Sequence, residues 1–443
     1  MFAKHVKWGI HPKTNKDQTR YKPIETMPVP KELIIPVRQH IGAPCEPLVK
    51  KGDLVKKGQL IASSTAPVSS NVHATVSGKV IEVAERPHPL FGTCMSIVIE
   101  NDYEETWADN VLTKRDWTAL DRDELLAIVK EAGIVGMGGA AFPAHIKLNP
   151  PKDKPVDLLV INAAECEPFL TVDHRVILEQ LTRVVEGIKI IKKIIGVEKV
   201  LIGIEDNKFD AYEALRGVLD GVQIKVVAIP TRYPQGAEKM IVKTLIDKEI
   251  PPGKIPLDLG IVVQNVSTAV AIYDAVTTGV PSLERVVTVS GGSVKKPKNV
   301  LIRIGTPFKE AIDFCEGFTS KPEKIIMGGP MMGMTQYTVD VPVIKGTSGI
   351  LALSESDVNA TIESACIHCG NCVKGCPMGL VPSMLSILAE KELVEEAVKE
   401  QNLMMCIECG TCSYVCPSKR NIVQYVRVLK KLNSDMQLKK GKK

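Results

Sequence analysis

The sequence predicts a multidomain α/β protein, with an all-β module first, then a parallel α/β domain, a small strand-rich insert and a helical, cysteine-rich domain. Three observations support this prediction. Residues 30–100 are rich in valine, glycine and proline, residues 115–285 alternate helical patterns with apolar strands, and C-x2-C-x2-C-x3-C-P occurs at both 366–377 and 406–417. A chain of 443 residues is too long for one core and should divide into about three or four domains.

The composition is that of an ordinary globular protein, with 44% apolar and 24% charged residues. No run approaches about eighteen uncharged apolar residues, so any membrane association is expected to be peripheral. The net charge is +5, and six lysines fall in the tail at 430–443. That tail is either a solvated terminus or a contact for an acidic partner or anionic lipid. Only 4% of residues are aromatic, which argues against nucleic-acid binding.

The first domain is predicted at residues 1–110. Its short alternating strands are separated by Gly52, Gly58 and Gly78, which indicates a small all-β sandwich. The stretch resembles the barrel-sandwich fold of lipoyl and biotin carrier domains. Such carriers need an acceptor lysine at the hairpin between their halves, but this hairpin reads S-S-T-A-P-V-S-S-N-V-H-A-T, and Lys79 lies beyond it. We therefore expect no attached prosthetic group and a structural or docking role.

The second domain, residues 111–285, is predicted to be a Rossmann-like α/β domain around a parallel sheet. Candidate strands lie at 157–162, 199–205, 223–229 and 258–263, with a helix at 173–195. Apolar strands that alternate with helices indicate a sheet covered on both faces. Ligands bind such sheets beyond the carboxyl ends of the strands, in loops that lead into helices.

Four strings lie mostly at such loops. They are G-I-V-G-M-G-G-A-A-F-P-A-H-I-K at 133–147, I-N-A-A-E-C-E-P-F-L-T at 161–171, R-Y-P-Q-G-A-E-K at 232–239 and V-Q-N-V-S-T-A at 263–269. The first is not a dinucleotide fingerprint, but clustered glycines let backbone amides approach a phosphate or a flat ring. In the last, Asn265 is placed to cap a helix. Each string alone is also compatible with ordinary loop chemistry.

Together, the four strings resemble the flavin-bearing subunit of respiratory complex I, in which G-R-G-G-A-G-F-P, N-A-D-E-S-E-P-G, Y-x-C-G-E-E and N-N-V-E-T form the FMN and NADH pocket. The resemblance implies that the flavin is approached by Gly136, Gly138, Gly139, Ala140 and Phe142, with Lys147 near its phosphate or ring carbonyls. It implies that the flavin and nicotinamide side is lined by Asn162, Glu165 and Glu167, and continued by Tyr233, Gly236 and Glu238. The FMN phosphate would lie at Asn265, Ser267 and Thr268, at a helix N-terminus. No catalytic acid or base is predicted.

The chain departs from that subunit at several positions. Met137 stands for the arginine and Ala141 for a glycine, Phe169 stands where Pro-Gly would follow, and Gln235 and Ala237 replace Cys and Glu. Flavin placement is expected to survive these changes. The substitutions are expected to affect the contacts with nicotinamide instead.

The third domain, residues 286–352, contains V-V-T-V-S-G-G, K-N-V-L-I-R-I-G-T-P-F-K-E-A-I and K-I-I-M-G-G-P-M-M-G, which predict strand, strand, helix and strand. It resembles the soluble-ligand-binding β-grasp insert that follows the flavin domain in the same family. We interpret Met327, Met331, Met332 and Met334 as core packing or a flexible contact surface rather than cofactor ligands.

The fourth domain, residues 353–443, contains eight of the twelve cysteines. Three cysteines of one motif can wrap three corners of a four-iron cluster, while the fourth usually serves the other cluster. The predicted ligand sets are Cys366, Cys369, Cys372 and Cys416 for one 4Fe-4S cluster, and Cys406, Cys409, Cys412 and Cys376 for the second. Zinc knuckles are the rival interpretation, although zinc sites normally use paired C-x2-C halves. Disulfides fit this metal-type spacing less well, and no signal peptide precedes the chain.

Three further features complete the cysteine-rich domain. His368 lies between two predicted ligands but is not counted as one, because four cysteines per cluster are already present. Helical periodicity at 382–404 joins the motifs in a way that resembles helical ferredoxins rather than the compact bacterial type. The remaining cysteines, Cys45, Cys94, Cys166 and Cys315, are scattered singly and are left out of the metal count.

The whole layout, about residues 5–430, resembles the RnfC family of the Rnf ion-translocating ferredoxin:NAD oxidoreductase complex. The resemblance implies an oxidoreductase subunit that exchanges hydride between NADH and FMN and passes single electrons to two 4Fe-4S clusters. It also implies a peripheral position on the cytoplasmic face of the membrane, beside other Rnf subunits, among them an iron-sulfur or ferredoxin-like one. Two alternatives stay open: a soluble flavin and iron-sulfur reductase of the corrinoid-reductase kind, and a non-enzymatic cluster-bearing adaptor.

Overall fold

The computed structural model describes residues 8–109, 111–219, 223–358 and 362–440. The end of the lysine-rich tail, residues 441–443, lies outside the described residues. Within the described ranges, no helix is long and apolar enough to cross a membrane.

The first domain contains two small antiparallel sheets. One has the order β2-β8-β7-β4, built from β2 (Glu32–Pro36), β4 (Leu54–Val55), β7 (Gly78–His88) and β8 (Gly92–Asn101). The other has the order β3-β5-β6, built from β3 (Glu46–Pro47), β5 (Leu60–Ser63) and β6 (Val72–His73). Alternate residues of the strands, including Leu33, Ile61 and Ile99, share one buried core. The preceding strand β1 (Ile24–Thr26) lies outside this sandwich and joins the sheet of the third domain.

The second domain is a four-stranded parallel sheet in the order β11-β10-β9-β12. Its strands are β9 (Leu158–Ala163), β10 (Lys199–Glu205), β11 (Ile224–Ile229) and β12 (Ile261–Asn265). Its helices are α1 (Arg122–Glu131), α2 (Ala144–Lys147), α3 (Val172–Glu179), α4 (Leu181–Ile195), α5 (Phe209–Leu219), α6 (Glu238–Ile246) and α7 (Val266–Thr278). Separate apolar clusters cover the two faces of the sheet, which confirms the predicted parallel arrangement.

Two details of this domain differ from the sequence prediction. The single helix predicted at 173–195 is two helices, because Gln180 has a non-helical φ of −127° between α3 and α4. The last strand begins later than predicted, because residues 256–259 form a 3-10 helix that ends at Gly260. Helices α4 and α7 cross closely at Gly187, where a Cβ would stand 2.0 Å from the Ala269 carbonyl oxygen. This contact fixes the position of α7 beside the sheet.

The third domain is a mixed sheet in the order β1-β14-β13-β17-β15-β16. Its own strands are β13 (Glu284–Ser290), β14 (Lys298–Arg303), β15 (Lys324–Met327), β16 (Met334–Gln336) and β17 (Gly349–Leu353), with helix α8 (Phe308–Phe314). The predicted strand, strand, helix and strand are confirmed as β13, β14, α8 and β15. Strands β16 and β17 were not predicted.

The fourth domain is helical. It consists of α9 (Asn371–Gly375), α10 (Pro382–Glu390), α11 (Val394–Lys399), α12 (Thr411–Tyr414) and α13 (Ile422–Lys440) around a core that includes Leu385, Leu403 and Leu429. Helices α9 and α12 each follow one cysteine loop. The helix predicted at 382–404 is interrupted between α10 and α11, where Glu392 has a φ of +53°.

Candidate functional site

The glycine-rich string forms an exposed loop between α1 and α2. Gly138, Gly139 and Ala140 are exposed, whereas Met137 and Ala141 beside them are buried. Gly139 has a φ of +113°, and no atom lies within 4 Å of the place where its Cβ would be. The loop therefore presents bare backbone to open space, as close approach of a phosphate or a flat ring requires.

The backbone of Met137, in the middle of this loop, forms hydrogen bonds with two buried side chains. Its amide donates to Thr268 Oγ1 at 2.9 Å, and Arg285 Nη2 donates to its carbonyl at 3.4 Å. Thr268 is fully buried. Its hydroxyl thus serves the loop, and the predicted contact between this residue and a phosphate would have to come from its backbone.

Lys345, in the third domain, forms hydrogen bonds to residues of the first and second domains near the start of the same loop. Its Nζ donates to the carbonyl of Gly133 at 2.7 Å and to that of Asn71, in the hairpin of the first domain, at 2.5 Å. Burial lowers the pKa of Lys345 to about 7. Sequence reasoning missed both Lys345 and Arg285, because they lie outside every motif and reach the loop only through the tertiary fold.

The loop that follows β9 carries Asn162, Glu165 and Glu167. Asn162 Nδ2 donates to the Gly236 carbonyl at 2.7 Å, and its Oδ1 accepts the Ala164 amide at 3.1 Å. Glu165 accepts the backbone amide of Asp173, in the first turn of α3, at 2.6 Å. The second and third strings are therefore in direct contact.

Two buried lysines fix this loop from below. Lys208 Nζ donates to the Ala164 carbonyl at 2.7 Å and forms a buried ion pair with Glu205 at 2.7 Å. Lys16 Nζ donates to the Glu165 carbonyl at 2.8 Å, and burial lowers the pKa of Lys16. Neither lysine was predicted, because nothing in the local sequence marks a lysine that will be buried by a distant segment.

The N-terminus of α7 lies beside the glycine-rich loop. Asn265 Oδ1 accepts the Ser267 amide at 2.8 Å, so the predicted cap is confirmed. Asp173 accepts from Asn265 Nδ2 and from Ser267 Oγ, both at 2.7 Å. Burial, and then the charge of Glu165, raise the pKa of Asp173 to about 6. A Cβ on Gly138 would lie 3.4 Å from Asn265 Cβ, which brings the first and fourth strings together.

Tyr233 connects this region to the fourth domain. The tyrosine is buried, and its hydroxyl donates to the backbone carbonyl of Cys409 at 2.6 Å. The carboxylate of Glu167 lies 3.3 Å from the same hydroxyl and accepts the amides of Met331 and Met332 at 3.0 and 2.9 Å. Burial raises the pKa of Glu167 to about 7.

Lys147 and Glu238 form an ion pair near the edge of the site. Glu238 is exposed, and Lys147 and Phe142 are partly buried. The resemblance places Lys147 near a flavin, whereas here its Nζ contacts a carboxylate. The assignment of Lys147 to the flavin therefore stays a prediction.

The four strings thus converge at the carboxyl edge of strands β9 and β12. This edge combines an open glycine backbone, a helix N-terminus and partly buried Asn and Glu side chains, which suit a flat ring, a phosphate and the polar edge of the ring in turn. The residues present fit FMN. The buried carboxylate of Asp173, which accepts from Asn265 and Ser267, does not favour a phosphate nearby.

The two cysteine loops share one backbone geometry. Positive φ angles repeat at matched positions: +54° at His368 and +56° at Glu408, and +76° at both Gly370 and Gly410. The amide of His368 donates toward Cys366 Sγ, and that of Glu408 toward Cys406 Sγ, both at 3.4 Å. The repeated sequence therefore folds twice into the same thiolate-wrapping turn.

The cysteines form two crossed groups around two cavities. One cavity, of 220 Å³, is lined by Cys366, Cys369, Cys372 and Cys416, and a smaller one is lined by Cys376, Cys406, Cys409 and Cys412. Within the described residues, no three His, Cys, Asp or Glu side chains converge closely enough to hold a single metal ion. Each group supplies the four thiols that a four-iron cluster requires, and the second cavity, of 20 Å³, is much smaller than the first.

The second group includes two buried thiols, those of Cys409 and Cys412. Burial, and to a smaller extent the neighbouring Cys409 and Cys376, raise the pKa of the Cys406 thiol to about 11. Four thiolates in so small a space are stable only when metal cations offset their charge. The pairing of Cys376 with the opposite motif is the arrangement that the spacing predicts.

Comparisons with protein families agree with this order of domains. The RnfC barrel sandwich hybrid domain matches residues 4–104, and the Nuo51 FMN-binding domain matches residues 129–274. The SLBB domain matches residues 286–335, and a 4Fe-4S dicluster domain matches residues 360–417. The predicted fold class is thereby confirmed at the level of these four domains.

Curated relatives match along nearly the whole chain. The C subunit of the proton-translocating ferredoxin:NAD(+) oxidoreductase complex of Clostridium ljungdahlii is 56% identical over 430 residues, which is 97% of this chain and 94% of that protein. The C subunit of the Na(+)-translocating complex of Acetobacterium woodii is 46% identical, over 97% of this chain and 98% of that protein. The C subunit of the ion-translocating oxidoreductase complex of Rhodobacter capsulatus is 44% identical, over 89% and 76%.

Proposed function

The chain belongs to the RnfC family, the C subunits of ion-translocating ferredoxin:NAD(+) oxidoreductase complexes, and on that basis we propose that it is the NADH-facing electron-transfer subunit of such a complex. It binds FMN in the second domain and two 4Fe-4S clusters in the fourth. Bound FMN supplies the conversion between hydride transfer with nicotinamide and single-electron transfer to the clusters. The chain itself positions these groups and sets their surroundings.

One observation carries this proposal. Four strings that are far apart in the sequence meet at one edge of the parallel sheet, and Tyr233, from one of them, donates a hydrogen bond to Cys409 in a cluster motif. The side chain of Tyr233 therefore links the proposed flavin site to the proposed cluster site.

The proposed roles of the pocket residues follow from what each presents. The exposed backbone of Gly138 and Gly139 receives the flavin, and the amides at the start of α7, behind Asn265, receive its phosphate. Glu165 and Glu167 face the nicotinamide side. Because Glu165 is already held by the Asp173 amide, its carboxylate is fixed in place before any ligand arrives.

The setting of the chain is also a proposal. We expect a peripheral subunit at the cytoplasmic face of the membrane, held by other subunits of the complex, one of which carries the next redox centre. The described residues contain no helix that could span a membrane. Copurification with membranes that is lost when the rest of the complex is deleted would support this setting.

Cofactor analysis tests the proposed function. After anaerobic reconstitution, the full chain is expected to hold about eight irons with matching sulfide and one FMN, and NADH is expected to bleach the flavin absorbance. Zinc without sulfide would refute the cluster assignment. Clusters without FMN would leave only the adaptor function, and FMN that NADH does not reduce would point to a different electron donor.

A further inference from the structure

We propose that the two clusters work in a fixed order. The set formed by Cys376, Cys406, Cys409 and Cys412, called here the inner cluster, takes electrons from the flavin pocket. The set formed by Cys366, Cys369, Cys372 and Cys416, called here the outer cluster, exchanges them with the next carrier. This inference rests on the proposed function and adds the order in which electrons pass through the two clusters.

The inner cysteine loop is in contact with the residues predicted to line the pocket. Tyr233 lies two peptide bonds past Thr231 on the segment that also supplies Gly236, and its hydroxyl meets the carbonyl of Cys409 at 2.6 Å. Glu167, on the loop after β9, lies 3.3 Å from that hydroxyl. Tyr233, from one predicted pocket string, therefore contacts an inner-cluster ligand, and Glu167, from a second string, contacts Tyr233.

The loop between β15 and β16 contacts both the pocket and the inner cysteine loop. The amides of Met331 and Met332 donate to the Glu167 carboxylate, and the Met331 carbonyl oxygen lies 2.7 Å from where a Cβ on Gly410 would stand. Gly410 belongs to the inner cysteine loop. The third domain thus packs this loop directly against the flavin domain.

Matched positions of the two cysteine loops differ in their exposure to solvent. Cys409 is 7% exposed and buried, whereas Cys369, its counterpart, is exposed. A Cβ on Gly410 would meet Met331, but a Cβ on Gly370 would meet nothing within 4 Å. Sequence and backbone geometry are nearly the same in both loops. The difference in exposure therefore comes from the neighbouring residues that cover the inner loop and leave the outer loop open.

The charged position of each loop shows the same contrast. Glu408 accepts from Lys430 at 2.7 Å and from Arg427 at 3.2 Å, while its counterpart His368 is exposed, next to Ile367, which is 65% exposed. The inner loop is therefore held by ion pairs to α13, whereas the outer loop is exposed to solvent.

The order follows from distance. Electron tunnelling slows steeply as the distance between centres grows, so the centre that touches the pocket receives the electron first. A second protein can approach closely only the centre that lies at the surface. The inner cluster is therefore the obligatory intermediate and the outer cluster is the exit.

Removing one cluster at a time tests this order in the full reconstituted chain. Cys369→Ser removes an outer ligand and Cys409→Ser removes the matched inner one. After rapid anaerobic mixing with NADH, freeze-quenched paramagnetic resonance should show the inner cluster reduced at the wild-type rate in Cys369→Ser. In Cys409→Ser, reduction of the outer cluster should slow by at least tenfold, although dithionite still reduces it and NADH still bleaches the flavin.

The outcomes separate this inference from the proposed function. Equally fast reduction of the outer cluster in Cys409→Ser overturns the order but leaves the function intact. Failure of NADH to bleach the flavin in the wild-type chain overturns the function itself.

A milder pair of variants decides the question should Cys409→Ser lose both clusters. Tyr233→Phe removes the hydrogen bond to the Cys409 carbonyl, and the matched control Tyr425→Phe removes a hydroxyl that donates to Glu363 at 3.0 Å elsewhere in the fourth domain. Because the inner cluster is the obligatory intermediate, a change at the point of electron entry must affect both clusters. Tyr233→Phe should therefore slow NADH-driven reduction of the inner and outer clusters by the same factor, and Tyr425→Phe should slow neither. Reduction of the outer cluster at the wild-type rate while that of the inner one slows, or no slowing of either, overturns the proposal.

Discussion

Replacing Lys345 with methionine should cause a loss of stability that depends on pH. Lys345 is 1% exposed, and burial lowers its pKa from 10.5 to about 7. Between these values the unfolded chain binds a proton at this lysine that the folded chain does not hold. The lysine's contribution to stability therefore falls as the pH drops from 10.5 to 7 and is constant below that. Between pH 9 and pH 7 it changes by about 2 kcal/mol.

The variant removes that titration but leaves the carbonyls of Asn71 and Gly133 without their donor, which costs about 1–3 kcal/mol for each. We therefore expect Lys345→Met to be about 2–6 kcal/mol less stable than the wild type where the lysine is neutral in both states, above pH 10.5. The deficit should be smaller by about 2 kcal/mol at pH 9 and smaller by about a further 2 kcal/mol at pH 7. Urea unfolding of the chain at both pH values measures this. Lys324→Met is the control, because Lys324 is exposed on β15 in the same domain. A deficit that is equal at the two pH values, or larger at pH 7, would refute the reasoning.

Three further predictions concern the cofactor sites. Cys376→Ser should damage the cluster held by the second motif and Cys416→Ser that held by the first, each lowering iron from about eight to about four per chain; loss of the cluster in the variant's own motif would contradict crossed ligation. Gly139→Ala should weaken FMN binding at least tenfold in a fluorescence titration, whereas Gly52→Ala, with a similar φ of +99° and equally open surroundings, should carry the same backbone strain and leave the affinity unchanged. His368→Ala should keep the full iron content, since four cysteines already serve each cluster; a loss of iron would make His368 a ligand.

The sequence predicted the features that local patterns determine. Apolar strands alternating with helices gave the parallel sheet, because strands covered on both faces need continuous hydrophobic runs. The cap at Asn265 followed from residue type and position. The cysteine spacing predicted two equal turns, and the matching φ angles at His368 and Glu408 show that the same string folded in the same way twice.

Contacts between distant segments could not be predicted. Lys345 reaches Gly133 across 212 residues and Tyr233 reaches Cys409 across 176. Each depends on how whole domains pack, and a buried lysine or tyrosine looks in sequence like any other. For the same reason strand β1, although it precedes the sandwich, could be assigned to the third domain's sheet only once its pairing with β14 was seen.

The central claim is that one flavin pocket feeds two clusters within this single chain. Anaerobic titration of the reconstituted chain with NADH, followed by absorbance and paramagnetic resonance together, tests it most directly. FMN takes up two electrons and each cluster one, so the reconstituted chain should take up more than one and up to about two NADH, with cluster signals appearing as NADH is added. Uptake that stops at one NADH, with a fully reduced flavin and two clusters that only dithionite reduces, would contradict it.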